Sequence, residues 1–357
     1  MREPVRVLVV DDSAVIRRWL VRSLEIDPGI QVVGEAGDGA EGLRLVAELT
    51  PDVVTLDVEM PVLGGLETLR RLMAERPMPV VMVSSKTIYG AAVTLDALAV
   101  GAVDFVTKPA AEPDDQERAA VELREKVRTA SGVRPRMSSA SVATTLPRVP
   151  SRRLPGDRAA GPATSGGGRP RRLVVISSST GGPAALRKVI PELSPDLDAA
   201  TIVIQHMPAG FTTALAERLD AVSAIPVREA EDGERLVAGE VVVAPGDHHL
   251  LVSPDGFVRL TGLPRVNGVR PSADVTLQST ASSWADQLLA VVLTGIGADS
   301  REGARAVRAS GGHVISQDEA TSLIHGMPRA VADAGLSNEV LPLDEVAAAI
   351  TAWSRRS

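Results

Sequence analysis

Two α/β domains, each built on a parallel doubly wound sheet, are what this 357-residue sequence predicts. Three observations carry that expectation. Short apolar runs alternate with helix-like segments along both halves of the chain, the order that parallel sheets require. Most of these runs stop abruptly at Asp, Ser, His or Gly-containing turns, as strands do at their carboxyl ends. Between the halves, residues 131–172 hold 18 Ser, Pro and Gly, nine Arg and one Asp, without apolar periodicity, so they read as a flexible tether. The domains are therefore expected at 1–130 and 173–357.

Composition narrows the function. Hydrophobic residues make up 44% of the chain and aromatic ones only 2%, so the cores must be aliphatic. The absence of cysteine excludes disulfides and thiol catalysis and fits a reducing compartment. No apolar run reaches transmembrane length and Met1–Pro4 is not a signal peptide, so a cytoplasmic protein with no membrane insertion is expected. The net charge is −7, and residues 173–357 carry 14 basic against 22 acidic side chains, which argues against nucleic acid as a partner.

In the first half, Val5–Val10 ends at Asp11-Asp12-Ser13, and Ser13 can cap a helix running to about Glu25. Further strands are expected at Gln31–Ala36, Val53–Leu56, Pro79–Val83 and Ala102–Val106, the last three ending at Asp57, Ser84-Ser85 and Thr107-Lys108-Pro109. Asp11, Asp12, Asp57, Ser84 and Lys108 thus all sit at strand carboxyl ends, the edge where open α/β sheets form their ligand crevice. Three clustered carboxylates repel unless a cation joins them, and a hard oxygen set suits Mg²⁺. Lys108 can pair with the cluster and with a phosphoryl oxygen.

The second half begins with Leu173–Gly182, LVVISSSTGG. Its apolar run reads as a buried strand, the serines and glycines as a sharp turn, and Ala184–Ile190 as a helix. Such a turn holds one side chain, Ser179, at the strand's carboxyl end with backbone N–H groups free to receive negative charge. Ala200–Gln205 ends at His206, and Leu288–Leu293 runs into Thr294-Gly295-Ile296-Gly297-Ala298-Asp299. Other elements expected are helices at Phe211–Leu219, Pro271–Trp284, Ala304–Ala309 and Asp344–Trp353, a hairpin of Leu250–Ser253 with Phe257–Leu260, and strands at Val241–Ala244 and His313–Ser316.

A serine hydroxyl needs an imidazole to take its proton, and the imidazole needs a carboxylate to hold its tautomer. Ser179, His206 and Asp299 offer that set on one sheet edge. Of the five histidines, His206 alone directly follows a long apolar strand. A zinc site lacks cysteine and helical histidine spacing, and the Gly295–Asp299 loop lacks the third glycine of a dinucleotide fingerprint, since position 300 is serine.

Residues 5–128, through VVDDS, LDVEMPVLGGLE, VMVSS and DFVTKP, resemble a response-regulator receiver domain. The resemblance implies a flavodoxin-like fold and an Asp57 that accepts a phosphoryl group from a histidine kinase. It also implies Mg²⁺ held by Asp11, Asp12, Asp57 and the Glu59 carbonyl, with Ser84 and Lys108 contacting the phosphoryl oxygens and Phe105 as the switch aromatic. Residues 173–350 resemble the catalytic domain of the chemotaxis protein-glutamate methylesterase and glutamine deamidase (the CheB family), through SSSTGGP, QHMPAGFT, APGDHHLLV, RVNGVRPSADV, LTGIGADS and SQDEATSLIHGMP. That resemblance implies Ser179 as nucleophile, His206 as general base then acid, Asp299 as orienter and an oxyanion-stabilising amide at Ile296, with Thr180 beside the nucleophile. It implies chemoreceptors as substrate, no cofactor for ester hydrolysis, and a receiver that covers the esterase site at rest.

The chain departs from the family pattern at Ser177-Ser178, where Gly-Ala is usual, and at Ala298 and Ser300, where Asn and Gly are usual. Placed in a turn that favours glycine, Ser177 is expected to tolerate replacement by glycine. Two other classes stand beside the enzyme: a receiver joined to a non-catalytic binding domain, and a DNA-binding regulator.

Overall fold

A computed structural model describes residues 3–85, 87–110, 112–133 and 170–356. In its N-terminal domain, β1 (Val5–Val10), α1 (Ala14–Glu25), β2 (Ile30–Ala36), α2 (Gly39–Leu49), β3 (Val53–Asp57), α3 (Gly65–Glu75), β4 (Val80–Ser84), α4 (Ile88–Val100), β5 (Asp104–Thr107) and α5 (Pro113–Ser131) follow in strict alternation. The strands pair in parallel in the order β2-β1-β3-β4-β5. The chain reverses direction between β1 and β3, so Asp11, Asp12 and Asp57 meet at that switch point.

Local chemistry starts the helices where expected. The Ser13 hydroxyl accepts the Ile16 N–H at the head of α1. Asp38 accepts the N–H groups of Ala40 and Glu41 at 2.8 and 2.9 Å, and Glu41 reaches back to the Gly37 N–H at 2.9 Å.

The loop after β3 holds a strained residue. Val62 has φ +64° and is 85% exposed. A β-branched side chain in the left-handed region costs about 1–2 kcal/mol, whereas Asn visits it readily. Val62→Asn is therefore expected to stabilise the protein by about 1 kcal/mol, because almost no packing is lost. Urea unfolding checks this, and an unchanged or lower midpoint would refute it.

The C-terminal domain runs β6 (Leu173–Ser178), α6 (Gly182–Val189), β7 (Ala200–Gln205), α7 (Phe211–Asp220), β8 (Val227–Glu229), β9 (Val241–Val243), β10 (His249–Val252), β11 (Val258–Thr261), α8 (Ala273–Trp284), β12 (Leu288–Val292), α9 (Arg301–Ala309), β13 (His313–Gln317), α10 (Met327–Asp333), β14 (Glu339–Leu341) and α11 (Leu343–Ser354). Its parallel sheet has the order β14-β13-β12-β6-β7-β9-β8, and β10 with β11 forms a separate antiparallel hairpin. Here the switch point lies between β6 and β12. The central strands are buried along their whole length, as helices on both faces demand.

Two corrections concern boundaries. Ser177 and Ser178 extend β6, pairing with Val292 and with Ile204 and Gln205, instead of opening the turn, so the turn-based expectation that Ser177 tolerates glycine loses its ground. Most of the predicted tether, residues 134–169, lies outside the described residues. At its edges Ser131 ends α5, and Arg172 is buried, with its guanidinium over the Trp353 ring and bonded to the Trp353 and Arg356 carbonyls. Those two residues therefore belong with the flanking domains.

The domains share an apolar contact region, a single cluster that includes Leu95 and Phe105 from the first and Phe211 and Leu215 from the second. Arg218 of α7 ties it to α4, reaching Asp96 at 2.6 Å and the Ala92 carbonyl at 2.6 Å.

Candidate active site

Ser179 stands one residue past β6, at the switch-point edge. Its N–H donates to the Thr294 carbonyl at 3.0 Å, and its carbonyl accepts from Gly182 N–H and from Gln205 Nε2. The Ser178 hydroxyl donates to the other end of the same amide, Gln205 Oε1, at 2.7 Å. Gln205, the last residue of β7, thus clamps the Ser179 turn. Gly181 has φ +80° and faces Leu323 closely, so the turn needs glycine there. Gly295 is required for a different reason: a Cβ on it would lie 2.8 Å from the Ser179 Cβ.

His206 follows β7 directly, and its Nε2 lies 2.8 Å from Asp299 Oδ2. Asp299 sits at the head of α8. It accepts the Ala273 N–H at 2.7 Å, the Asp274 N–H at 3.2 Å, the Ser272 hydroxyl at 2.7 Å and Asn267 Nδ2 at 3.1 Å. Burial opposes ionisation, but the hydrogen bonds from His206, Ser272 and Ala273 prevail and hold the Asp299 carboxyl far below the usual carboxylate range. The helix N-terminus favours the same charge. His206 Nδ1 is left as the ring nitrogen able to take a proton from Ser179. No hydrogen bond joins that hydroxyl to His206 among the described residues, a looseness usual in sites without substrate.

The Asp299 cage was not foreseen. His249 is buried, with Nε2 3.0 Å from the Pro264 carbonyl and Nδ1 accepting the Ser272 N–H at 3.2 Å. Nδ1 must be unprotonated to accept, and burial holds the imidazole below its ordinary range. His249 therefore fixes the residue whose hydroxyl binds Asp299. A buried histidine opening a strand was the available signal. The Ile296 N–H makes no backbone hydrogen bond among the described residues, while its neighbour Gly295 donates to Ile324 and accepts from Gly326 and Met327.

Thr180 is buried and faces two ways. Its carbonyl accepts the Thr294 hydroxyl at 2.9 Å, and its own hydroxyl donates to Asp104 of β5 in the other domain. Lys126 of α5 holds Asp104 at 3.2 Å, donates to the Phe105 carbonyl at 2.7 Å and lies over the Phe105 ring. Phe105 in turn stacks on Phe211, with ring centroids 4.6 Å apart. The end of the N-terminal sheet thus touches the residue after Ser179 and the helix after His206.

In the N-terminal crevice, Asp11, Asp12 and Asp57 bring carboxylate oxygens within 4.8 Å of one another. Lys108 Nζ lies 2.8 Å from Asp57 and 3.0 Å from Asp11. Burial pushes the Asp57 carboxyl up to about 6, against the pull of Lys108. This crowded all-oxygen set fits a hard divalent cation such as Mg²⁺. Glu59 borders it by donating its N–H to Asp57 at 3.3 Å. Ser84 is buried and its hydroxyl donates to the Ser85 carbonyl at 3.3 Å.

Comparison with known proteins agrees with both domains. A family model described as response regulator receiver domain matches residues 7–120, and one described as CheB methylesterase matches residues 174–350. The chain is 50% identical to the protein-glutamate methylesterase/protein-glutamine glutaminase of Symbiobacterium thermophilum, covering 98% of this chain and 97% of that protein. It is 45% identical to the Thermotoga maritima protein of the same name, covering 95% of each. The crystal structure of the Thermotoga maritima CheB methylesterase catalytic domain matches with a TM-score of 0.50 at 42% identity, covering 51% of this chain and 97% of that one. Identity sustained across both domains, together with a serine, a histidine and an aspartate gathered at one switch point, makes this chain a member of the protein-glutamate methylesterase/protein-glutamine glutaminase family.

Proposed function

We propose that this chain hydrolyses glutamate methyl esters on chemoreceptors, releasing methanol, and deamidates receptor glutamines, under the control of receiver phosphorylation in chemotaxis adaptation. The observation that carries the reading is the Asp299–His206 pair on the edge that also presents Ser179. In this reading Ser179 Oγ attacks the side-chain carbonyl while His206 takes its proton. The Ile296 N–H receives the oxyanion, and His206 returns the proton to the leaving methoxide. Water, deprotonated by His206, then releases glutamate from the acyl-enzyme. With glutamine the leaving group is ammonia.

Asp57 is the phosphoryl acceptor, with a histidine kinase as donor, and Asp11, Asp12 and the Glu59 carbonyl are the other groups assigned to the cation. A bound Mg²⁺ offsets charge between the carboxylate and the incoming phosphoryl group. Lys108 and Ser84 contact the phosphoryl oxygens, and Phe105 follows Ser84. The finer assignments include a cytoplasmic location. No described helix is long and apolar enough to cross a membrane. Incubation with methylated receptor membranes, and with receptors carrying glutamine at the same sites, should yield methanol and ammonia respectively. Release of neither product would overturn the reading.

The Thr180–Asp104 hydrogen bond and the Phe105–Phe211 stack support a receiver that restrains the esterase at rest. Movement of Phe105 toward a phosphorylated Asp57 would remove the stack and draw β5 from Thr180. A fragment beginning at Arg171, which keeps the buried Arg172, is therefore expected to be about tenfold more active than the resting full-length chain. A small phosphodonor should activate the full chain and leave the fragment unchanged, and Asp57→Ala should abolish the response. Equal activity of fragment and resting chain would refute restraint.

A further inference from the structure

Ser300 directly follows Asp299 and opens α9, where its carbonyl accepts the Ala304 N–H at 2.8 Å. It is fully buried and has φ +87°, a conformation that L side chains rarely adopt. Its hydroxyl donates to Ser177 Oγ at 2.8 Å, and the Ser177 hydroxyl donates onward to the Val291 carbonyl at 3.3 Å. Ser177 lies two residues before Ser179, on the strand beside β12. One buried chain of hydroxyls therefore joins the nucleophile strand to the residue after the orienting acid.

We propose that Ser177 and Ser300 are a positioning pair: their hydroxyl–hydroxyl bond holds the Asp299 loop in register with the nucleophile strand. Neither touches the reacting atoms. The argument is geometric. A buried hydroxyl left without a partner costs free energy, and that cost favours rotation of the Ser300 backbone, which already sits at φ +87°. That rotation moves the peptide shared with Asp299, and through it the 2.8 Å contact with His206. Deleting the Ser177 hydroxyl should thus disturb the chemical step through Asp299, while the surface that receives the substrate stays intact. Once the Ser300 side chain is removed as well, nothing is left unpaired, and glycine adopts the positive φ without strain.

This inference rests on the esterase reading. Its test is methanol release from methylated receptor membranes by the full-length protein, with kcat and KM measured separately at a temperature where circular dichroism shows every variant folded. Ser177→Ala is expected to lower kcat about tenfold with KM unchanged, and Ser177→Ala combined with Ser300→Gly should recover most of that loss. Ser300→Ala keeps the Cβ at positive φ without the hydroxyl, and should lower kcat to a similar degree even if Ser177→Ala fails to fold. Wild-type kcat in either single alanine variant, a rise in KM in place of a fall in kcat, or a double variant no better than Ser177→Ala would overturn the pair. Absence of methanol release by the wild type would overturn the esterase reading itself, and this inference with it.

Discussion

Ser179→Ala is expected to lower methyl-ester hydrolysis by about 10⁶-fold, to the background of an otherwise folded protein, as removal of the nucleophile does in subtilisin. The size follows from the site. The chain has no cysteine, and the neighbouring serine hydroxyls are committed elsewhere among the described residues: Ser177 to Val291, Ser178 to Gln205 and Ser300 to Ser177. The turn keeps its shape without the Oγ, because it is held by backbone bonds of Ser179 to Thr294, Gly182 and Gln205 and not by the hydroxyl. Binding should therefore survive while the covalent step disappears. Methanol release by the variant at even a hundredth of the wild-type rate would rule out a serine acyl-enzyme.

Much of the architecture was legible because strands here are continuous apolar runs with a polar stop. The stop marks the sheet edge, so Asp11, Asp57, His206 and Ser179 could be placed from the one-dimensional pattern alone. Asp299 lies seven residues beyond Val292 and was placed by type as much as by position. What stayed hidden was long-range satisfaction of buried polar groups. Ser177 and Ser178 look like turn residues because serine is common in turns, yet they are strand residues whose hydroxyls find Val291, Ser300 and Gln205. No local signal reveals such partners. The Asp299 cage draws on Asn267, Ser272 and the α8 N-terminus, and His249 supports it from β10, so its members are 25 to 50 residues from the carboxylate they serve. The three-residue strands β8 and β14 were missed because so short a run carries no periodicity. The contact between domains was invisible for another reason: two acidic domains give no charge pattern to match, and the contact rests on particular pairs such as Arg218 with Asp96.

Asp299→Asn is expected to lower kcat by about 10³–10⁴-fold, by analogy with the same change in serine proteases. In the native chain both carboxylate oxygens only accept: Oδ2 takes His206 and the Ala273 N–H, and Oδ1 takes Ser272, Asn267 and the Asp274 N–H. An asparagine must turn its NH₂ toward one of these sets. Facing His206, it collides with the Ala273 N–H and favours the tautomer with its proton on Nδ1, which cannot take one from Ser179. Facing the other way, it opposes Ser272, Asn267 and Asp274 and leaves donors unpaired at the head of a helix. Either arrangement also removes the charge that stabilises the imidazolium. The stability effect has a definite sign with pH. The Asp299 carboxyl is held far below its ordinary value of 3.8, so the stability it adds is full well above that value and is lost progressively as pH falls from there through the lower folded value. The wild type should therefore exceed Asp299→Asn in stability at pH 7, with the gap narrowing in strong acid. Denaturation at the two pH values measures this, alongside kcat from methanol release. A loss under tenfold in kcat, or a gap that widens in acid, would remove Asp299 from the role of orienting acid.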